Sequence, residues 1–464
     1  MTEFIRKKLN ESKAARWTVL ITVAFTMFCA YFLNDVMAPL MEKLGEEFGW
    51  TAQDFGTFNF SYGWINVFLF MLIFGGMILD KIGVRMTGIG SCICMVIGAA
   101  IQYYSVGNFV TFEGAVFGIK MQLFVACVGF AIFAFGLEMA GITVTKTIVR
   151  WFKGYEIALA MGLQVAIARL GMGLAYALTL PLANRLGLST PILVGLLALC
   201  IGLIAYLAFC VMDKKLDKSV GAVEVSEEDK FKFSDILFII KNKGFWLITF
   251  LCLLFYSAVF PFMKYAVSFM KNKYHIDDDF AGIIPFMLPV GAIFLTPFFG
   301  GIYDKKGKGA TIMIVGAVLL ICVHFLFSLP MLDHWLIAGT LMVVLGIAFS
   351  LVPSAMWPSV PKIIPENKLG TAYGLIFWVQ NIGLSGVPYL IGWVLYKYCI
   401  TGTNTVTEIV DGLEKTKEVT LYDYTIPMII FAGFGVASLI IAFLLKREDR
   451  LKGYGLEKPN VVKE

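Results

Sequence analysis

Two ionisable residues stand deep inside long apolar runs, Glu138 and Arg169. A guanidinium is a planar fork that grips a carboxylate through parallel hydrogen bonds, whereas a carboxylate accepts an ammonium or carries a proton. Glu138 lies 12 residues before Arg150, and Arg169 lies 13 after Glu156. At 1.5 Å per helical residue, each sits roughly 18 to 20 Å from the polar loop between them, near the middle of a bilayer and on consecutive runs. An ionised side chain at that depth costs about 2.5 to 3.5 kcal/mol on insertion scales, so each needs a partner, water or a task. Two arrangements meet that need. One is a buried Glu138–Arg169 ion pair with a structural role. The other is a shared cavity in which the two residues hold a zwitterionic guest, either a peptide or an amino acid.

A second set is Asp35 and Lys264. Asp35 lies 18 residues past Trp17 and Lys264 lies 18 past Trp246, so they occupy corresponding places in the first and seventh apolar runs. Both fall about 27 Å from the inner face, near an outer mouth. They are expected to approach each other when an outer gate closes; a snorkelling Lys264 is the competing reading. Lys146, close to the inner end of its run, reads as snorkelling. Polar residues in mid-run face protein rather than lipid, which nominates Tyr31, Tyr62, Asn66, Tyr256, Trp357, Tyr373, Gln380 and Asn381 as lining. Pro285, Pro289, Pro297, Pro353, Pro358 and Pro361 mark kinks.

The elements that position these groups are membrane helices. The 464 residues are 59% hydrophobic and 15% charged, against about a quarter charged in a soluble domain. Twelve runs are long enough to cross a bilayer. They lie near 17–40, 54–79, 86–105, 119–144, 157–181, 190–212, 245–270, 280–302, 310–330, 334–360, 370–398 and 424–446. The chain therefore divides into a tail (1–16), a six-helix bundle (17–212), a charged linker (213–244), a second six-helix bundle (245–446) and a tail (447–464). With both termini cytoplasmic, 27 of the 38 Lys and Arg fall on inner loops and tails and eight on outer loops, which sets N-in, C-in. The first run follows a basic segment without a small-residue cleavage pattern, so an uncleaved first helix is expected. Nine scattered cysteines form no disulfide framework, and His275, His324 and His334 are too dispersed for a metal site. No nucleotide loop, nucleophile elbow or cofactor motif is present. No enzymatic activity, cofactor or metal is expected, and no nucleic-acid partner.

The two bundles repeat a loop. Gly76-Met-Ile-Leu-Asp80-Lys81-Ile-Gly83-Val-Arg85 stands between runs two and three. Gly300-Gly-Ile-Tyr-Asp304-Lys305-Lys306-Gly307-Lys308 stands between runs eight and nine, at an offset of 224. Recurrence six helices apart is what a duplicated transporter fold produces. Glycines permit close contact and a tight turn, and an Asp at a helix end can pair with the bases that follow. Asp80, Arg85 and Asp304 are accordingly candidate gating residues, able to latch the cytoplasmic helix ends in one state and release them in another.

This Gly-x-x-x-Asp-Lys/Arg-x-Gly pattern resembles the signature loop of the major facilitator superfamily, and span count, central linker and repeat position agree over essentially the whole chain. Three stretches narrow the resemblance: Phe60-Ser-Tyr62-Gly-Trp64-Ile-Asn66-Val67; Glu138 to Gly171, with Trp151-Phe-Lys-Gly154-Tyr-Glu156 and Ala168-Arg169-Leu-Gly171; and Trp357-Pro358-Ser-Val-Pro361, running on to Leu369-Gly-Thr-Ala-Tyr373-Gly. They look like the branch that contains the lysosomal dipeptide transporter of animals and its bacterial relatives. The resemblance implies an all-α membrane fold of twelve helices in two pseudo-repeats and alternating-access movement of short peptides. It also implies that Glu138 and Arg169 hold the peptide's amino and carboxylate ends, and it raises Tyr62, Asn66 and Trp357 among the lining. Uniport of dipeptides, proton-coupled symport of an organic or amino acid with Glu138 as the proton site, and a non-transporting receptor or scaffold are the alternatives. Asn10-Glu-Ser12 and Asn59-Phe-Ser61 fall on a cytoplasmic tail and inside a span. With no outer sequon and no lysosomal dileucine signal, a bacterial inner membrane is expected. The expected partners are a small zwitterion or anion and membrane lipid, the protein itself being a monomer.

Overall fold

A computed structural model describes residues 9–107, 109, 111–152, 155–220, 233–365, 368–410 and 413–459. The N-terminal half comprises α1 (Lys13–Val36), a short α2 (Met41–Phe48), α3 (Ala52–Phe60), α4 (Gly63–Asn66), α5 (Met71–Val106), α6 (Met121–Phe152), α7 (Ile157–Leu186) and α8 (Thr190–Val220), with a small hairpin of β1 (Ala115–Val116) and β2 (Ile119–Lys120) before α6. After α9 (Phe233–Ile240), the C-terminal half comprises α10 (Lys243–Tyr274), α11 (Asp278–Ala281), α12 (Ile283–Lys306), α13 (Gly309–Ser328), α14 (Trp335–Ile363), α15 (Leu369–Tyr398) and α16 (Thr425–Lys452). Between α15 and α16 the chain forms an antiparallel ribbon of β3 (Ile400–Val410) and β4 (Leu413–Tyr422), in register from Val410↔Leu413 to Gly402↔Leu421. The sequence reading had this segment as plain loop. The expected linker is shorter than drawn: α8 runs on to Val220, and residues 221–232 lie outside the described residues.

Among the described residues, eleven helices are long and apolar enough to cross a membrane. The twelfth passage is the second one, and it is broken. Instead of one helix over 54–79, α3 and α4 are followed by a non-helical stretch at 67–70, after which α5 begins. Phe70 takes a left-handed conformation (φ 53°, ψ 29°), which costs a residue with a Cβ about 1 to 2 kcal/mol. The other half supports the break: the Val67 carbonyl, which accepts the Phe70 N–H at 3.3 Å, also takes the indole N–H of Trp378 on α15 at 2.9 Å, and the indole stacks on the Phe70 ring at 5.2 Å. A backbone carbonyl released inside a membrane must find such a partner. The expected connection between passages two and three is a tight turn: Gly83 (φ 78°, ψ 168°) breaks α5 into two helices, in a conformation where a side chain would be strained.

Helix starts follow ordinary capping chemistry. Thr51 and Asp54 form a reciprocal capping box on α3, and Asn242 accepts the Phe245 N–H at the start of α10. Within each half, α1 packs on α7 and α8, α5 on α6, α10 on α16, and α13 on α14 and α16. Two seams join the halves, α3 against α15 and α7 against α12. Glycine makes the first seam close: a Cβ on Gly392 would lie 2.4 Å from the Ala52 carbonyl oxygen.

The end of the bundle that carries α2 and the β3–β4 ribbon is shut by contacts across the halves. Glu42 accepts from Ser268 (2.8 Å) and Asn272 (2.7 Å) and pairs with Lys271. Lys43 reaches Asp278 at 3.6 Å. The Ala52 N–H donates to the Tyr422 hydroxyl at 3.3 Å. At the opposite end, where the described chain begins at Leu9 and ends at Pro459, prominent ties run within a half. Arg85 and Arg150 converge on Asp213 and Asp217 at the end of α8.

Candidate substrate-binding site

Glu138 and Arg169 both face the interior between the halves and are half-buried, yet no ion pair joins them among the described residues. Glu138, on α6, accepts a 2.5 Å hydrogen bond from the Tyr62 hydroxyl, and the Asn381 side chain of α15 lies against the same carboxylate. Arg169, on α7, has its Nη1 3.7 Å from the Met172 sulfur and its Cζ 5.3 and 4.9 Å from the ring centres of Phe260 and Phe349, both in the C-terminal half. Each ring contributes about 0.5 to 2 kcal/mol to a cation, but neither offers an acceptor for the five N–H donors of a guanidinium. The buried ion pair, one of the two arrangements open from the sequence, is therefore absent. Among the described residues, two opposite charges remain in one interior, each without a counter-charge.

The Tyr31 side chain of α1 lies near both Arg169 and Glu138. Beyond Arg169 the lining continues into the C-terminal half: Trp357 donates its indole N–H to the Tyr256 hydroxyl at 3.1 Å, and Tyr256 stacks on Phe260 at 5.3 Å. Tyr373 donates to the Trp357 carbonyl at 3.4 Å. Of the residues nominated from sequence, Tyr62 thus stands on Glu138, while Trp357 stands on the aromatic wall beside Arg169. Asn66 is buried one turn from Tyr62, donates to the Tyr62 carbonyl at 3.2 Å and leaves its Oδ1 unpartnered. Phe260, Phe349 and Trp378 were not nominated. They carry no distinguishing signal in a chain with 41 Phe and nine Trp.

Toward the closed end, Lys264 Nζ lies 2.8 Å from Asp35 Oδ1 and 2.8 Å from the Asn34 carbonyl. Asp35 also accepts from the Tyr176 hydroxyl at 3.3 Å and from Asn34 Nδ2 at 3.1 Å. Both side chains are enclosed, 4% and 14% exposed, so Lys264 does not snorkel. Of the signature-loop residues, the Asp80 side chain lies outside the described residues. Arg85 pairs with Asp217 at 2.7 Å and Asp213 at 3.8 Å, so α8 of its own half supplies it with counter-charges. Asp304 is exposed at the end of α12. The second copy is engaged differently: the C-terminal segment folds back over it, with the Lys308 and Gly309 N–H groups donating to the Glu457 and Leu456 carbonyls.

A broken helix, glycine-closed seams and a polar interior between two six-helix halves place the chain among solute carriers, and the family profile of the Major Facilitator Superfamily matches residues 23–388. The chain belongs to the major facilitator superfamily. Its similarity to curated relatives is broad: the lysosomal dipeptide transporter MFSD1 of Bos taurus is 28% identical over 400 residues, covering 82% of this chain and 80% of that protein. The Homo sapiens protein of the same name is 28% identical over 398 residues, with the same coverage. Among solved structures, a bacterial homologue of the human lysosomal transporter Spinster, inward-facing and unoccupied, superimposes with a TM-score of 0.69 at 14% identity, covering 94% of this chain and 98% of that one. The nucleoside transporter NupG gives 0.67 at 15% identity, covering 93% and 99%. At these identities the structures show the fold. The sequence-level expectation of a multi-pass transporter of this superfamily is met.

Proposed function

We propose that this transporter moves short peptides, dipeptides foremost, by alternating access, with Arg169 taking the substrate carboxylate and Glu138 its ammonium. The observation that carries the reading is the pair of opposite, unpaired charges in one interior near mid-membrane. Their desolvation has no internal remedy, whereas a zwitterion supplies the missing anion and cation together. Tyr62 and Tyr31 set the polar floor between them, and the Tyr256–Trp357 wall accepts side chains without demanding one type. Similarity to the animal dipeptide transporters points the same way. The distribution of basic residues supports cytoplasmic termini, so the closed end faces outward and the shape is that of an inward-facing carrier. Asp35 and Lys264 then form the outer gate, and a bacterial inner membrane is the setting.

The test is dipeptide flux into proteoliposomes containing the purified protein. Saturable flux is expected, and Arg169→Lys and Glu138→Gln should each depress it at an unchanged melting temperature. Flux that persists when the proton gradient is collapsed identifies a uniporter; flux that vanishes identifies symport. Wild-type rates in either variant would remove that residue from the site. Absence of flux for peptides, amino acids and small organic acids alike would overturn the transport reading.

A further inference from the structure

We propose that α9 is an interfacial anchor, lying in the headgroup layer of one leaflet and, with Lys241 and Lys368, gathering anionic phospholipid there. The leaflet is the one on the side of Leu9 and Pro459, cytoplasmic in the orientation proposed above, and the inference does not depend on what the protein carries. Six of the eight α9 residues are apolar. At 1.5 Å per residue the helix is about 12 Å long, far short of a span. Ile236 and Ile239, one turn apart, face the bundle, and Ile239 is fully buried. Leu237 and Ile240, also one turn apart, face away together with Phe238; Leu237 is 59% exposed and Phe238 47%. A helix that is apolar on both sides needs cover on both, and the bundle covers one.

The surroundings identify the other cover. The turn after α9 fixes it in place: the Asn242 N–H donates to the Ile239 carbonyl at 3.0 Å, and the Asn242 side chain caps α10 while donating to the Ile363 carbonyl at the end of α14 at 3.3 Å. Trp246, in the first turn of α10, donates its indole N–H to the Ile240 carbonyl at 2.8 Å and stacks on Phe250 at 5.4 Å. Phe250 is exposed on a helix long and apolar enough to cross the membrane, so its ring meets acyl chains. The outer face of α9 is thus joined to the lipid-facing surface of α10 through an indole, a side chain enriched where headgroups meet acyl chains. A soluble protein docked on α9 would have to straddle that boundary. The charges fit the same occupant. Lys241 is exposed just past the end of α9, and Lys368, at the start of α15, holds its Nζ 5.4 Å from the centre of the Phe238 ring. Lys243 is paired with Glu448 at 2.9 Å, so Lys241 and Lys368 supply the positive charge. The one acid of α9, Asp235, is in its first turn, at the other end from Lys241. Exposed apolar side chains next to ammonium groups match acyl carbons and a negatively charged headgroup in one molecule.

The test uses the full-length protein in a cysteine-free background, with a fluorophore on Leu237→Cys, reconstituted into phosphatidylcholine vesicles that contain phosphatidylglycerol as the minor lipid. Quenching is compared for aqueous iodide and for each of the two lipids carrying a nitroxide near the headgroup end of its acyl chain. The nitroxide lipids should quench strongly and iodide weakly. Labelled phosphatidylglycerol should match labelled phosphatidylcholine at about one fifth of its mole fraction or less, the enrichment expected from one lysine near the surface. In the double variant Lys241→Gln, Lys368→Gln the two lipids should quench within about twofold of each other, at an unchanged melting temperature. Should Leu237→Cys fail to reconstitute, Ile240→Cys reads the same face. Strong iodide quenching without lipid quenching would place the face in water, and protection from both quenchers would mean that protein covers it. Equal quenching by the two lipids, or an advantage of phosphatidylglycerol that survives both lysine substitutions, would deny the site its anionic occupant. Each of these results overturns the proposal.

Discussion

If Asp35 and Lys264 form the proposed gate, removing the Lys264 ammonium should unlock the closed end of the transporter. Lys264 and Asp35 are 2.8 Å apart and enclosed. At an effective dielectric of about 20, their gross attraction is about 6 kcal/mol, much of it spent on desolvation. What matters for the gate is the difference between states. In the outward-open form both groups separate and hydrate, whereas in the closed form of Lys264→Ala the Asp35 carboxylate stays buried with only Tyr176 and Asn34 for support. Stranding one partner of a buried pair costs about 3 to 5 kcal/mol. Even 3 kcal/mol shifts the closed-to-open ratio by about 150-fold, at 1.4 kcal/mol per factor of ten. Met41, buried beside Glu42 at the closed end, reports on its opening. In a cysteine-free background, Met41→Cys should react slowly with a membrane-impermeant maleimide, and adding Lys264→Ala should accelerate labelling by one to two orders of magnitude. The exchange Asp35→Lys with Lys264→Asp restores the Coulomb attraction but not the Tyr176 and Asn34 bonds, so it should recover part of the slow labelling and more transport than either single change. Labelling unaffected by Lys264→Ala, or an exchange no better than the singles, would refute direct pairing as the lock.

Other perturbations probe the frame around the site. Gly392→Ala would push a methyl within 2.4 Å of the Ala52 carbonyl, whereas Gly386→Ala on the same helix meets nothing within 4 Å. The first should lower the melting temperature through about 1 to 3 kcal/mol of overpacking, and the second should be neutral or slightly stabilising. Glu457 accepts from the Thr311 N–H (2.9 Å) and hydroxyl (2.8 Å) at the start of α13, so Glu457→Gln should cost about 1 kcal/mol as a weakened helix cap. Truncation after Lys452 should cost more, because the fully buried Leu456 is lost as well, worth about 1.5 to 3 kcal/mol; thermal unfolding in detergent orders the two variants below wild type. Asp213→Asn weakens the acceptor that Trp151 Nε1 reaches at 3.0 Å and that Arg150 and Arg85 surround. A fall in stability of about 1 to 3 kcal/mol is expected, with the substrate affinity of the folded fraction unchanged.

The architecture was legible because membrane physics leaves few options. A run of about twenty apolar residues can only be a span, and the repeat at Asp80 and Asp304 reveals the duplication. Charges in such runs announce themselves, which is why Glu138, Arg169, Asp35 and Lys264 could be picked out without coordinates. The break in the second span was not legible. No proline lies between residues 51 and 79, and the break depends on Trp378, more than 300 residues away, receiving the Val67 carbonyl. Phe260 and Phe349 were hidden for a different reason: aromatic residues are ordinary lipid-facing material, and only the fold shows which two stand over Arg169. The β3–β4 ribbon, by contrast, had an unused signal, Asp411-Gly412 between runs of alternating Thr and Val, a pattern that favours a tight hairpin. The return of Glu457 onto α13 is a contact across 146 residues, beyond any local pattern.

The distribution of charge between the halves bears on how binding could drive movement. Glu138 and Arg169 both belong to the N-terminal half, and what faces them from the C-terminal half is neutral: the Asn381 amide and the Phe260 and Phe349 rings. Those neutral groups only partly compensate the two charges. A zwitterion changes that balance. On the proposed reading its carboxylate would satisfy the guanidinium and let the rings of the second half pack on a neutralised group, while its amine would neutralise Glu138. A ligand shifts a conformational equilibrium only by its differential affinity for the two states. Placing the charges on one half and the neutral groups on the other makes that difference depend on both ends of the substrate. A peptide lacking either terminal charge should therefore bind weakly and, in addition, fail to promote closure: maleimide labelling of a cysteine placed on the terminal side of the site should be slowed by Ala-Ala, and neither by its acetylated nor by its amidated form at concentrations giving equal occupancy. Equal slowing by all three would mean that closure responds to filling of the cavity, not to the two charges.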